Sequence, residues 1–151
     1  YLFDYPNLNG QPFLRSIGIA KHRLVATGIY GIGGFTLSGK LTLASPTPKD
    51  SVNCHDTTSF DNCFFDTFTP GDAIGFKQFD FAVKKEWDTG TDIKFFVRGD
   101  LFNVFNWRNF TDYDTWRGGP SPDVNANFGR RNGNGTVWPP RQFKVSVGFN
   151  W

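Results

Sequence analysis

Residues 140–151 read P-R-Q-F-K-V-S-V-G-F-N-W, and this stretch decides the fold class. From Phe143 onward every second residue is apolar, and Lys, Ser, Gly and Asn lie between. Strict alternation with a period of two is typical of a β-strand with one apolar and one polar face. Such a strand suits a soluble core as well as a lipid bilayer, so the remaining sequence has to separate the two cases.

The composition favours an all-β protein. Aromatic residues make up 18% of the 151 residues, 17 glycines and 9 prolines punctuate short segments, and Glu86 is the only glutamate. Aromatic residues are enriched in strands, whereas glutamate is not. The net charge of +2 and the scattered basic residues argue against nucleic-acid binding. No run approaches the roughly 18 apolar residues of a membrane-spanning helix.

A hairpin is predicted around Gly33-Gly34, because a two-residue turn of this type needs positive φ at both positions. Residues in such a hairpin pair when their numbers sum to 67. Tyr30 then meets Leu37, and every other residue of the apolar face meets another residue of that face. A slip of one residue would scramble both faces, so the register is well specified.

Five strands are predicted in all, at residues 22–32, 35–44, 76–87, 92–105 and 140–151. They are joined alternately by short turns and by long loops at 45–75 and 106–139, and residues 1–21 are interpreted as the remnant of a further extracellular loop. Loops of this length are uncommon in compact soluble domains. Short periplasmic turns that alternate with long extracellular loops are typical of outer-membrane barrels. The sequence therefore predicts five antiparallel strands of a transmembrane β-barrel, arranged as an up-and-down meander and forming part of the barrel only.

Three segments resemble one family. Residues 21–25 (K-H-R-L-V) open a strand, residues 100–106 (D-L-F-N-V-F-N) fit a D-x-F-N-x-F-N strand, and residues 138–143 (W-P-P-R-Q-F) begin the last one. Together they resemble the C-terminal strands of TonB-dependent outer-membrane receptors of the Oar type, which carry a carboxypeptidase-regulatory-like domain. The resemblance covers residues 22–151.

The resemblance implies a function and a location. It implies the outer membrane of a Gram-negative bacterium and a receptor that binds and imports a ligand. The implied partners are the remaining barrel strands and a plug, the TonB complex acting through that plug, lipid or lipopolysaccharide, and the barrel-assembly machinery. Two alternatives stay open, namely a passive porin, adhesin or structural barrel, and a soluble secreted β-sandwich that binds a ligand. We expect no enzyme activity, cofactor or metal.

Cys54 and Cys63 lie in a loop rich in Asp, Thr and Asn. Their spacing and the neighbouring His55 fit no zinc motif. A disulfide is the favoured interpretation, with a metal site and free thiols as alternatives. A bridge implies an oxidising compartment.

Charged residues on the polar faces are predicted to face the barrel lumen: Lys40, Asp80, Lys84, Arg98, Asp100 and Lys144. They would either hold a plug and line a transport path or form salt bridges in the wall, and we favour salt bridges. Asp80 and Arg98 are expected to pair directly or diagonally across one hairpin.

Aromatic residues of the second long loop are candidates for ligand binding: Trp107, Phe110, Tyr113 and Trp116. The favoured alternative is a cluster that stiffens the loop or an aromatic girdle at its base. Asp112, Asp114 and Asp123 do not fit the spacing of a calcium loop.

Overall fold

A computed structural model describes residues 16–55, 57–60, 63–132 and 140–151. The described residues are 52% strand and form no helix, so the all-β prediction is confirmed. The chain divides into two compact units. Unit 1 comprises Tyr1–Lys21, Ser45–Gly75 and Phe110–Thr136, and unit 2 comprises His22–Ala44, Phe76–Asn109 and Val137–Trp151.

The described residues contain seven strands. They are β1 (Arg23–Ile32), β2 (Phe35–Ala44), β3 (Lys49–Asn53), β4 (Phe64–Phe68), β5 (Phe76–Asp88), β6 (Lys94–Phe102) and β7 (Gln142–Asn150). Unit 2 holds a five-stranded antiparallel sheet in the order β1-β2-β5-β6-β7. This order confirms the predicted meander. β1 and β7 are the two edges, and the described residues form no closed barrel.

The first hairpin has the predicted register. Ile32 pairs with Phe35 and Tyr30 with Leu37, so that all paired numbers sum to 67. Gly33 and Gly34 have φ values of 56° and 73°, as the two-residue turn requires.

The register between the hairpins extends the same apolar face across the whole sheet. One row runs from Leu37 to Val83, then to Gly99 and on to Val145. Because side chains alternate between faces, one such row fixes the face of every other residue in the sheet.

The structure ends β6 at Phe102, three residues before the predicted end. Asn103 has a φ of 50° and Asn106 a φ of 52°. Asn tolerates this left-handed region better than most residues. Two such positions turn the chain out of the sheet, so the prediction of a strand up to residue 105 is wrong.

Unit 1 is more ordered than the predicted loops imply. β3 and β4 form an antiparallel hairpin inside the segment 45–75, which the sequence analysis treated as loop. Lys and Asp at the start of β3 and an Asp in the middle of β4 hid the strand pattern. The hairpin is linked to the second long segment by a parallel bridge between Val52 and Trp116. Residues 1–15 and 133–139 of the predicted loops, with Trp138 and Pro139 of the motif, lie outside the described residues.

The core of unit 1 is small. Among its described residues, Cys54 and Tyr113 are the buried apolar side chains other than proline. The Phe68 and Phe128 rings lie 4.8 Å apart between centroids, and the guanidinium of Arg117 lies 4.5 Å from the Phe128 ring. Unit 1 therefore also depends on its disulfide and its polar contacts.

Candidate functional site

The most prominent feature of unit 2 is one face of its sheet, which we name the apolar face. Apart from two lysines near the ends of β5, it carries apolar residues in every strand. Its members are Leu24, Ala26, Gly28, Tyr30, Ile32, Phe35, Leu37, Gly39, Leu41, Leu43, Phe79, Phe81, Val83, Trp87, Phe95, Val97, Gly99, Leu101, Phe143, Val145, Val147 and Phe149.

Many of these side chains are exposed within the chain. On the two edge strands Tyr30 is 64% exposed, Val147 65% and Phe143 69%. Apolar patches on soluble monomers rarely exceed a few hundred Å², and larger ones mark contact with a partner or a membrane. An apolar face that spans five strands is therefore a candidate contact surface.

Aromatic residues concentrate at one end of this face, which we name the short-turn margin (residues 30–37, 84–95 and 146–151). Each strand carries an aromatic side chain of the apolar face there: Tyr30, Phe35, Trp87, Phe95 and Phe149. The Phe95 ring lies 5.6 Å from Trp87 and 5.4 Å from Phe149 between centroids. Such a row resembles the aromatic girdle that barrels place at the membrane–water interface.

The apolar face contains two lysines, and both lie near the ends of β5. Lys85 donates a hydrogen bond of 3.0 Å to the Gly33 carbonyl and lies 4.5 Å from the Phe35 ring. Lys77, near the other end, lies 5.7 Å from the Trp107 ring. The two lysines lie eight positions apart in β5, which is roughly 26 Å along the strand. For a strand tilted by ~40° from the membrane normal, this length spans about 20 Å of membrane thickness. That span is close to the height of the apolar band of an outer-membrane barrel, about 25 Å.

The opposite face, named the polar face, carries all six residues that were predicted to face a lumen. Lys40 lies opposite Asp80, Lys84 opposite Arg98, and Asp100 opposite Lys144. The face is not uniformly polar, since Val25 and Ile29 of β1 also lie there and are exposed.

The expected pair of Asp80 and Arg98 is absent. Because Arg98 lies opposite Lys84, Asp80 is displaced from it by four residues, or roughly 13 Å along the strand. Arg98 instead binds Asp100 on its own strand at 2.6 Å. Lys84 binds Glu86 at 2.7 Å in the same way. Pairing within each strand offsets the repulsion between the two cations that face each other.

The other end of the sheet, where the long connections attach, is held by three asparagines. We name it the long-connection margin (residues 22–26, 41–44, 76–79, 101–109 and 140–143). Asn109 is 3% exposed, and its amide accepts a hydrogen bond from the Lys77 N–H at 2.8 Å and donates to the Lys77 carbonyl at 2.9 Å. Asn103 bonds in both directions to the backbone of Trp107, and Asn106 accepts from the N–H of Arg141.

These contacts give the D-L-F-N-V-F-N segment a physical role. The amides of Asn103 and Asn106 satisfy backbone groups of the turn after β6 and of the segment that enters β7, and the Val104 N–H donates to the Phe79 carbonyl of β5. Asp80 accepts a further bond from the N–H of Asn103. Phe105 lies between Phe79 at 5.6 Å and Trp107 at 4.9 Å. The segment thus joins three strand ends and presents aromatic side chains at one margin.

The predicted ligand-binding aromatics are divided between the two units. Trp107 belongs to unit 2, whereas Phe110, Tyr113 and Trp116 belong to unit 1. Tyr113 is 7% exposed and belongs to the core, and Phe110 lies under the guanidinium of Arg131 at 4.1 Å. Trp116 is 40% exposed. These contacts match the alternative in which most of the aromatics stiffen the loop.

Tyr113 is held by an ionic pair. Its hydroxyl donates to Asp72 at 3.2 Å, and Asp72 also binds Arg131 at 2.7 Å. Burial, and then the negative charge of Asp72, raise the pKa of Tyr113 above its ordinary value. The hydrogen bond to Asp72 raises the pKa of Arg131. The neutral hydroxyl of Tyr113 and the ion pair of Asp72 with Arg131 therefore join the segment 106–139 to the segment 45–75.

The predicted disulfide is confirmed between Cys54 and Cys63. The His55 ring nitrogen Nδ1 lies 3.2 Å from the Asp123 carbonyl oxygen, and Thr57 donates to the Cys54 carbonyl. No group of three metal-ligating side chains occurs in the described ranges. Asp114 and Asp123 serve as acceptors for Trp116 and Gly119 backbone amides.

Sequence reasoning missed several exposed apolar residues of unit 1, and Phe60 at 65% and Val124 at 62% are two of them. Neither belongs to a periodic pattern, so no sequence signal distinguished them from the loop residues around them.

We found no family model, curated protein or solved structure that matches this chain. Across the described residues, no helix has both the length and the apolar character needed to cross a membrane.

Proposed function

We propose that unit 2 is part of the wall of an outer-membrane β-barrel, in a TonB-dependent receptor of the Oar type that binds and imports a ligand. The apolar face carries this proposal. It is continuous across five strands, it stays exposed in the chain, and an aromatic row and two lysines mark its margins. Acyl chains would cover such a face, with the aromatic and cationic side chains at headgroup depth.

A soluble β-sandwich would need a second layer on this face. In a sandwich, the inner side chains of two sheets interdigitate and are buried. Val145 and Val147 lie in mid-strand on the apolar face and are still 56% and 65% exposed. This exposure favours the membrane wall over the sandwich.

The open edges support a larger assembly. The outer backbone groups of β1 and β7 have no strand beside them within this sheet. Unpaired backbone polar groups cost several kcal/mol each in hydrocarbon, so only closed sheets span bilayers. We therefore propose that further barrel strands pair with both edges, and that a plug and the TonB complex act on the same barrel.

The D-x-F-N-x-F-N and P-R-Q-F segments support the receptor assignment over a passive porin or adhesin. In this proposal unit 1 forms the ligand-facing extracellular region, with a disulfide suited to an oxidising compartment. The polar face lines the lumen, and its salt bridges form part of the wall. We propose no catalytic role.

Refolding the 151-residue chain with and without lipid tests the proposal. We expect aggregation in plain buffer and, with phosphatidylcholine vesicles, a folded, lipid-associated state in which the open β1 and β7 edges of neighbouring copies pair with each other. Tryptophan fluorescence and quenching by brominated lipids report that state. A monodisperse, folded chain in buffer that ignores the vesicles would refute the membrane wall. Uptake by the complete barrel tests the receptor function. A TonB-dependent receptor should take up its ligand only when the TonB complex is energised, whereas a porin should take it up without energy.

A further inference from the structure

The two margins of the five-stranded sheet differ in charge. The long-connection margin contains Arg23, Lys77, Arg108 and Arg141, and its sequence has no Asp or Glu. The short-turn margin contains Lys84, Lys85 and Lys94 together with Glu86, Asp88 and Asp92, so its formal charges cancel.

The cations also differ in their partners. At the short-turn margin Lys84 binds Glu86 and Lys94 binds Asp88 at 3.3 Å. At the long-connection margin none of the four cations forms an ion pair with a described carboxylate. The nearest acids along the chain, Asp80 and Asp100, lie on the polar face, and Asp100 already binds Arg98. One margin is therefore internally neutral, and the other keeps a surplus of positive charge even when Asp80, which accepts the N–H of Asn103 there, is counted.

The backbone that carries these cations is fixed. Asn109 clamps both backbone groups of Lys77 and is the neighbour of Arg108, and Asn106 binds the N–H of Arg141. In the same segment the ring of Phe105, which is 57% exposed, contacts the ring of Trp107. Cationic heads beside exposed aromatic rings are the side chains that favour the boundary between acyl chains and anionic headgroups.

We propose that the long-connection margin is a contact site for the phosphorylated headgroups of lipids in the membrane that surrounds the apolar face. This inference rests on the proposed membrane wall and adds the class of lipid and the residues that select it. Arg108 and Arg141 are the principal contacts, because both are exposed and can each donate two parallel hydrogen bonds to a phosphate. The opposite margin, with its paired charges, has no such preference.

Vesicle partitioning of the refolded 151-residue chain tests this site. Vesicles of phosphatidylcholine alone are compared with phosphatidylcholine containing bis-phosphorylated lipid A or phosphatidylglycerol. Each unpaired cation near an anionic surface contributes about a fivefold gain in partitioning. We expect Arg108→Gln to reduce the gain from anionic lipid about fivefold, and Arg108→Gln with Arg141→Gln to reduce it about 25-fold. Raising the salt concentration should shrink the gain.

Lys94→Gln is the matched control, since it removes the same charge from the neutral margin and should leave the gain unchanged. Equal partitioning into neutral and anionic vesicles, or equal losses for Arg108→Gln and Lys94→Gln, would overturn the headgroup site while leaving the membrane wall intact. Failure to partition into any vesicle would instead refute the proposed function, and the headgroup site would fall with it.

Discussion

Replacing one mid-strand residue of the apolar face by arginine gives the most discriminating test of lipid contact. Val145 lies near the middle of β7, opposite Gly99. If this face lay in water, Val145→Arg would change the free energy of unfolding by at most about 0.5 kcal/mol, because Val145 is already 56% exposed. In a bilayer an arginine at the midplane of the lipid-facing side costs about 2–4 kcal/mol. That cost corresponds to a decrease of roughly 30- to 1000-fold in the equilibrium constant for folding into the membrane.

Ile29→Arg provides the matched control. Ile29 is also an exposed aliphatic residue in an edge strand, but it lies on the polar face. The two variants and the parent chain are refolded with vesicles, and urea titrations followed by tryptophan fluorescence give the free energies of unfolding. We expect a loss of about 2–4 kcal/mol for Val145→Arg and less than about 1 kcal/mol for Ile29→Arg. Equal tolerance of both changes would show that the apolar face does not meet acyl chains.

Three further predictions concern the contacts within each unit. Asn109→Ala removes two hydrogen bonds from a buried amide and should lower the free energy of unfolding by about 2–3 kcal/mol in denaturant titrations. Asn150→Ala is the control, because it loses one exposed bond to Glu86 and should cost less than about 1 kcal/mol. Similar losses for the two variants would contradict the role of Asn109 in holding the Lys77 backbone. Reducing the disulfide should lower the free energy of unfolding of unit 1 by about 2–3 kcal/mol and speed its amide hydrogen exchange, with no change in unit 2. An equal effect on both units would argue against two separate units. Because the pKa of Tyr113 is raised, the folded state holds its proton longer than the unfolded state, so the stability of unit 1 should fall as pH rises from about 10 through the raised pKa. Tyr113→Phe should remove the part of this loss of stability that comes from deprotonation of the tyrosine. An unchanged dependence of stability on pH in the variant would refute the raised pKa of Tyr113.

Part of the candidate site was predictable because it depends on local rules. The alternation in residues 143–151 and the Gly33-Gly34 turn fixed which side chains share a face, and the sum of 67 fixed the partner of each residue in the first hairpin. Alternation and turn geometry need only neighbouring residues, so a sequence carries them in full. The cysteine pair was accessible for the same reason, since two cysteines nine residues apart close a short loop.

Asp80 and Arg98 show where this local information ends. Both were placed correctly on the polar face, yet their pairing depended on the register between β5 and β6, and the five-residue turn between these strands does not specify it. The hairpin of β3 and β4 was missed because charged residues interrupt its alternation, and it is held by contacts with a segment more than 50 residues away in sequence.

The sequence by itself determined that this chain forms five strands with one apolar and one polar face, because face and turn are properties of adjacent residues. Only the tertiary structure decided the register of β2 on β5 across a 31-residue connection, that Asn109 holds the start of β5 and that the cations of one margin lack acidic partners. These features arise from contacts between distant residues, whose register is set by packing and hydrogen bonding of the whole sheet rather than by any local pattern.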